Sequence, residues 1–178
     1  MGQFRSIIPV LVLLFLLVVP GAGAAEEDVL DTVEAAFRAH REGEYDQAVE
    51  LYTQVIQSTE LKAKERAVAF LLRGEVYKDK GDYQRAIADF TRAIKIRADY
   101  AQAFYFRGLT YEKLGSYPEA LADVGVAVKL NPDKELYRNR LEIIRSKAGL
   151  GPPEGLGESP TGGESRDKGP VDKTTGAP

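Results

Sequence analysis

One frame, Gly-x-Tyr-x-x-Ala, occurs three times in the chain, as Gly43-Glu44-Tyr45-Asp46-Gln47-Ala48, Gly81-Asp82-Tyr83-Gln84-Arg85-Ala86 and Gly115-Ser116-Tyr117-Pro118-Glu119-Ala120. The glycines lie 38 residues apart (81 − 43) and then 34 apart (115 − 81). A period of about 20–50 residues marks stacked supersecondary units, each too small to bury its own apolar face, and not a single globular core. Other positions keep the same register. Seven residues before the second and third glycines stand Gly74 and Gly108, each preceded by an arginine and followed three residues later by Tyr77 or Tyr111. Four residues after each alanine comes Tyr52, Phe90 or Val124, and seven after it Val55, Ala93 or Ala127, with Pro132 five residues beyond the last.

Small-x-x-Tyr, then Gly-x-Tyr-x-x-Ala-x-x-x-Phe-x-x-Ala and a proline, resembles the tetratricopeptide repeat over residues 28 to 147. The resemblance implies an all-α solenoid of three helical hairpins, with repeats near 29–66, 67–100 and 101–134 and a C-terminal capping helix over 133–147. The physics of the recurring positions agrees. A small residue on each first helix (Ala36, Gly74, Gly108) faces a small residue on the second (Ala48, Ala86, Ala120), so the two helices approach closely. Tyr77, Tyr111, Tyr52 and Phe90, three or four residues further on, fall on the same faces and fill the space where the helices splay. Gly43, Gly81 and Gly115 sit where a first helix must stop, a site that favours left-handed backbone. Asp82 and Ser116 read as N-caps, with a capping box at Ser116-x-x-Glu119, and Asp99-x-x-Gln102 and Asn131-Pro132 as further helix starts. The last helix carries Leu136, Leu141, Ile143 and Ile144 on one side, which suits a terminal helix covering an apolar end.

The first unit departs from the others. It has Ala35-Ala36-x-x-Ala39 where they have Arg-Gly-x-x-Tyr, and four extra residues within Ser58 to Lys64. Departure at the end of a stack is the ordinary behaviour of a capping repeat; the alternative is an insertion that extends a helix or loop toward a partner.

Both termini differ in kind from the repeats. Arg5, an apolar run from Ile7 to Val19 broken only by Pro9, then Pro20 and Ala22-Gly23-Ala24, resemble a secretory signal peptide. Thirteen apolar residues rise only about 20 Å as a helix against a hydrocarbon core of about 30 Å, so the expectation is cleavage after Ala24 or Ala25 and export, to a bacterial periplasm or to the medium. Contact with a membrane follows only if the segment is retained. Met1-Gly2-Gln3-Phe4-Arg5-Ser6 also fits a myristoylation pattern, but the apolar run behind it fits a soluble acylated protein badly. The last thirty residues hold eight glycines and five prolines, with Leu150, Leu156 and Val171 as the only large apolar side chains. That composition builds no core, and residues 149–178 read as a disordered tail.

Catalytic chemistry finds little footing. The chain has one histidine, no cysteine and no tryptophan. It carries no Gly-x-x-x-x-Gly-Lys phosphate loop, so neither a cofactor nor a His/Cys metal site is expected. His40, beside Arg41 near the end of a first helix, suits the helix C-terminus. A net charge of −3, about −4 without residues 1–24, lacks the basic face that nucleic acid demands.

Binding to another protein or peptide remains. In tetratricopeptide-like stacks the first helices line a concave groove, which by register places Val33, Phe37 and His40, then Leu71, Glu75 and Lys78, then Tyr105, Leu109 and Glu112 along it, with Asn139 closing the row. Family members that grip a partner's C-terminal carboxylate place lysine, asparagine and arginine at such positions. Here Val33, Phe37, Leu72, Gln102 and Phe106 stand there instead, so an apolar, aromatic groove for an amphipathic helix or extended peptide is expected, with Tyr105 and Phe106 as anchors. Val33, Leu71, Leu109 and Phe106 equally fit packing between neighbouring helices. Two classes stay open: an exported, non-enzymatic adaptor, and a self-associating structural subunit.

Overall fold

The structure, a computed structural model, describes residues 24–151. The segments read above as an export signal and, apart from its first three residues, as a tail lie outside the described residues. The described chain is all-α: seven helices, α1 (Ala24–Glu42), α2 (Tyr45–Gln57), α3 (Ala63–Lys80), α4 (Tyr83–Ile96), α5 (Ala101–Lys113), α6 (Tyr117–Leu130) and α7 (Glu135–Lys147). They form three hairpins, α1–α2, α3–α4 and α5–α6, stacked in chain order with α7 against the last.

The frame glycines make the hairpin corners. Gly43, Gly81 and Gly115 have φ of 82°, 87° and 74°, and in each case the next residue donates its N–H back to the carbonyl five residues earlier: Glu44 to Ala39 (2.9 Å), Asp82 to Tyr77 (2.8 Å) and Ser116 to Tyr111 (2.9 Å). This closure satisfies the last carbonyls of each first helix, and left-handed backbone there costs a glycine almost nothing. The small residues Ala36, Gly74, Gly108, Ala48, Ala86 and Ala120 are all buried. The closest approaches nevertheless differ from the expected small-on-small pairing. A Cβ placed on Gly74 would lie 2.6 Å from the Phe90 ring, and one on Gly108 2.7 Å from Val124 Cγ2 and 3.1 Å from the Ala120 carbonyl oxygen. At Gly74, therefore, the missing side chain makes room for a ring one turn beyond the alanine.

Several helix starts differ from the sequence reading. The Asp82 carboxylate does accept from the Arg85 N–H (3.2 Å), but the Ser116 side chain caps nothing, so no capping box forms with Glu119. Tyr100 precedes α5 in place of Asp99, and α7 begins at Glu135, leaving Asn131 as the C-terminal flank of α6. The four extra residues of the first unit are one added turn of α3, which runs 11 residues before Gly74 (74 − 63) where α5 runs 7 before Gly108 (108 − 101). The loop ahead of that turn is held down: Leu61 is buried with Val55 and Ala69, and Arg66 donates to the carbonyls of Ser58 (3.1 Å) and Leu61 (3.3 Å).

Between hairpins the same polar unit occurs twice. Arg73 on α3 donates through Nε and Nη2 to both oxygens of Asp89 on α4 (2.7 and 3.0 Å) and through Nη1 to the Thr53 hydroxyl on α2 (2.7 Å). Thirty-four residues on, Arg107 of α5 makes the same fork to Asp123 of α6 (2.7 and 2.8 Å) and reaches Thr91 of α4 (3.0 Å). Each threonine passes its own proton to the carbonyl four residues earlier, Val49 (2.6 Å) or Ile87 (2.7 Å). One guanidinium thus ties three helices. Asp89 also accepts from Arg92 (2.6 Å), a second partner that Asp123 lacks among the described residues. Stranding a buried carboxylate costs about 3–5 kcal/mol. Arg107→Met is expected to fall in that range and Arg73→Met, which leaves Asp89 with Arg92, clearly below it. Urea unfolding of the two variants measures the order, and equal losses would contradict it.

Candidate functional site

The first helices of successive hairpins meet along one face, and the contacts on it form a row. At one end His40 of α1, its ring also edge-on to Tyr45 at 6.0 Å, pairs through Nε2 with Asp79 of α3 (3.0 Å). Asp79 is held on its other oxygen by Lys78 (2.8 Å), whose ammonium lies 5.4 Å from the centroid of the Phe106 ring on α5. At the other end Glu112 of α5 accepts from Lys147 of α7 (2.7 Å) with Arg140 at 3.6 Å.

The residues assigned to the groove divide accordingly. Leu71 is 1% exposed, packed with Ala67, Phe90 and Ala103, and Tyr105 is 5% exposed, its ring 4.6 Å from that of Tyr137 on α7. Neither offers a surface to a partner. The reason is the stack itself: a first-helix position that faces outward in an isolated hairpin is covered once the next helix docks. Glu112 is engaged by the capping helix. Val33 packs on the Val55, Leu61 and Ala69 cluster and Leu109 on the cluster around Val124 and Tyr137, both half-buried. Phe106 is half-buried too, stacked on Phe90 at 6.0 Å, with its remaining face under Lys78. Asn139 is exposed on α7. Phe37, Glu75 and Lys78 remain partly accessible on the row; Phe37 belongs to no core cluster of the described residues, and the Arg41 guanidinium lies 6.0 Å from its ring centroid.

On α7 the four apolar residues expected to act together separate. Ile144 and Leu141 turn inward with Tyr137, whereas Leu136 (53% exposed) and Ile143 (45% exposed) face out. Tyr137 is the anchor that the sequence reading missed; its place four residues before Leu141 and seven before Ile144 is the available signal.

Glu75 stands at the centre of the row and is its most unusual group. Among the described residues its carboxylate takes part in no hydrogen bond or ion pair, because both nearby cationic groups, His40 and Lys78, are committed to Asp79. Burial therefore pushes its pKa up to about 7; Lys78 and His40 pull it back only in part, and Asp79 adds to the rise. Asp79 moves the other way, down to about 2, chiefly through its hydrogen bond from His40. The Tyr52 hydroxyl is buried without a partner, its pKa raised by burial and then by the Glu75 charge.

Stacked hairpins with an accessible first-helix face define a helical-repeat solenoid. Family models described as Tetratricopeptide repeat match residues 35–67 and 101–134, and one described as TPR repeat matches 74–115. The chain is a tetratricopeptide-repeat protein. Similar solved structures include the first TPR of Spaghetti (RPAP3) bound to the HSP90 peptide SRMEEVD, 22% identical with a TM-score of 0.62 over 69% of this chain and 94% of that one. The second TPR domain of human RPAP3 in complex with the HSP70 peptide SGPTIEEVD is 25% identical, with a TM-score of 0.60 over 68% and 98%. The Arabidopsis OM64 TPR domain is 24% identical, with a TM-score of 0.60 over 69% and 98%. A search of the curated proteins finds no match.

The raised Glu75 pKa fixes a sign. From about pH 4.5, the ordinary glutamate value, to about 7 the native state holds a proton that the unfolded chain has released, so stability falls as pH rises through that window and levels above it. The Asp79 shift acts only below about 3.8 and does not overlap. Glu75→Gln is expected to flatten the decline and to be more stable than the wild type at about pH 8 by about 1 kcal/mol, the shift being discounted for water at the groove. Urea midpoints at about pH 5 and about pH 8 measure this; the same decline in both proteins would contradict it.

Proposed function

We propose that the chain is a non-enzymatic adaptor that holds a helix or extended segment of a partner protein on its first-helix face. The observation that supports this most directly is the row from Phe37 through Glu75 and Lys78 to Phe106. It leaves a partly accessible aromatic, Phe37, and a carboxylate without a partner among the described residues, Glu75, on one side of a scaffold where Leu71 and Tyr105 are buried. Solved TPR domains of the same fold carry peptides of partner proteins, which favours the same use of the surface here. The exposed Leu136 and Ile143 on α7 favour a second reading, in which the end of the stack packs on an identical chain.

The adaptor reading is tested by affinity capture from native extract with residues 25–148 as bait, beside the same bait carrying Phe37→Ala and Lys78→Ala. Truncating anchors of this kind costs about 2 kcal/mol or more, so the partner's retention is expected to fall about 30-fold while helicity is unchanged. Equal capture by both baits would move recognition off this face, and a doubling of mass with concentration would favour self-association.

We propose further that the protein is exported. Arg5, the apolar run Ile7–Val19 and the small residues Ala22-Gly23-Ala24 support it, and among the described residues no helix is long and apolar enough to cross a membrane. The intact mass of chain from its native cells is expected to lack residues 1–24; a mass that includes them would make the segment an anchor.

A further inference from the structure

The polar row leaves one charge unanswered. Asp79 draws both His40 (3.0 Å) and Lys78 (2.8 Å), and Arg41 lies over Phe37, so every cationic side chain facing Glu75 from α1 and α3 is engaged elsewhere. From α2 comes only Tyr52, 1% exposed, with its hydroxyl unpartnered and close enough to Glu75 to feel its charge. Tyr100, buried at the start of α5, feels the same charge. Glu75 is partly accessible on the row and makes no hydrogen bond or ion pair among the described residues, so its carboxylate can take a partner that the row itself does not supply.

We propose that Glu75 selects the partner: it accepts a basic side chain, arginine or lysine, projecting from the bound segment, whose apolar anchor rests on Phe37. This inference rests on the adaptor reading and specifies its ligand. A guanidinium or ammonium supplies several donors, enough to meet both oxygens of the carboxylate. A segment that presented a carboxylate at the same point would meet Glu75 with like charge, so the groove turns away acidic chain ends. The repulsive element is as much a part of the selectivity as the attractive one. Binding a cation stabilises ionised Glu75, so the proton held near neutral pH is released on docking and affinity rises with pH until that proton is gone.

The test is a display selection of random peptides on the protein made from the full chain, with Glu75→Gln and Phe37→Ala selected in parallel. The expected wild-type pool is rich in arginine or lysine beside apolar residues. With Glu75→Gln the basic preference disappears while the apolar one persists. A synthetic peptide from the wild-type pool is expected to bind Glu75→Gln at least about tenfold more weakly, and to bind the wild type more tightly at about pH 8 than at about pH 6. A pool that depends on Phe37 but shows no basic preference, or favours acidic residues, would overturn this inference and leave the adaptor reading standing. Peptides indifferent to Phe37→Ala, or none above background, would overturn both.

Discussion

The arginine fork at Arg73 and its copy at Arg107 set the register on which the stack depends. A hydrophobic interface between helices tolerates sliding, because apolar contacts have no direction. A guanidinium bonded to both oxygens of a buried carboxylate and to a hydroxyl on a third helix does not. Asp89 and Asp123 have almost no contact with water, so each must meet its arginine or carry an unpaired charge inside the protein. The fork therefore fixes the pairing of the two helices in a hairpin, and the threonine fixes the hairpin to the one before it. Strict 34-residue spacing between Gly74-to-Gly81 and Gly108-to-Gly115 is the sequence trace of that geometry.

Where the fork ends, other devices take over. The first unit has Ala35 in place of the arginine, so no fork joins α1 to α2; Arg73 still ties α3 to α2 through Thr53, and the extra turn of α3, the buried Leu61 and the Arg66 bonds to the loop carbonyls add to that junction. At the other end the next arginine position is Leu141, and α7 docks through Tyr137 and Ile144, supported by the grip of Lys147 and Arg140 on Glu112. Neither end helix, α1 or α7, carries an arginine fork of its own, as suits end units of a stack with one neighbour.

The parts legible in sequence were those where one residue type alone satisfies a local constraint. Gly43, Gly81 and Gly115 announce the corners because φ near 80° excludes most side chains, and Ala48, Ala86 and Ala120 announce close helix contacts by size. Helix starts were less legible, since Ser116, Asp99 and Asn131 have capping chemistry that only the loop geometry can place. The residues assigned to the groove divide by burial for a different reason. Position along a first helix gives a direction, but Leu71 and Tyr105 are buried by helices that arrive from 30 or more residues downstream, and periodicity carries no knowledge of them. The fork was visible only as an arginine before each glycine; its carboxylate, 16 residues on, falls outside any local pattern.

Glu75, partly accessible on the row, differs from the buried charges of the protein in what it lacks. Asp89 and Asp123 are each matched by an arginine fork, so their burial adds order to the fold. Glu75 sits among charges that satisfy one another and leave it out, and the Tyr52 hydroxyl is unpaired as well. Consistency elsewhere in the stack makes that exception informative: the scaffold pairs both Asp89 and Asp123 to within 3.0 Å and leaves Glu75, on the first-helix face, without a partner among the described residues. A local rule broken on an accessible face, in a fold that otherwise keeps it, is the physical ground for the proposal that the remaining partner of Glu75 comes from another molecule.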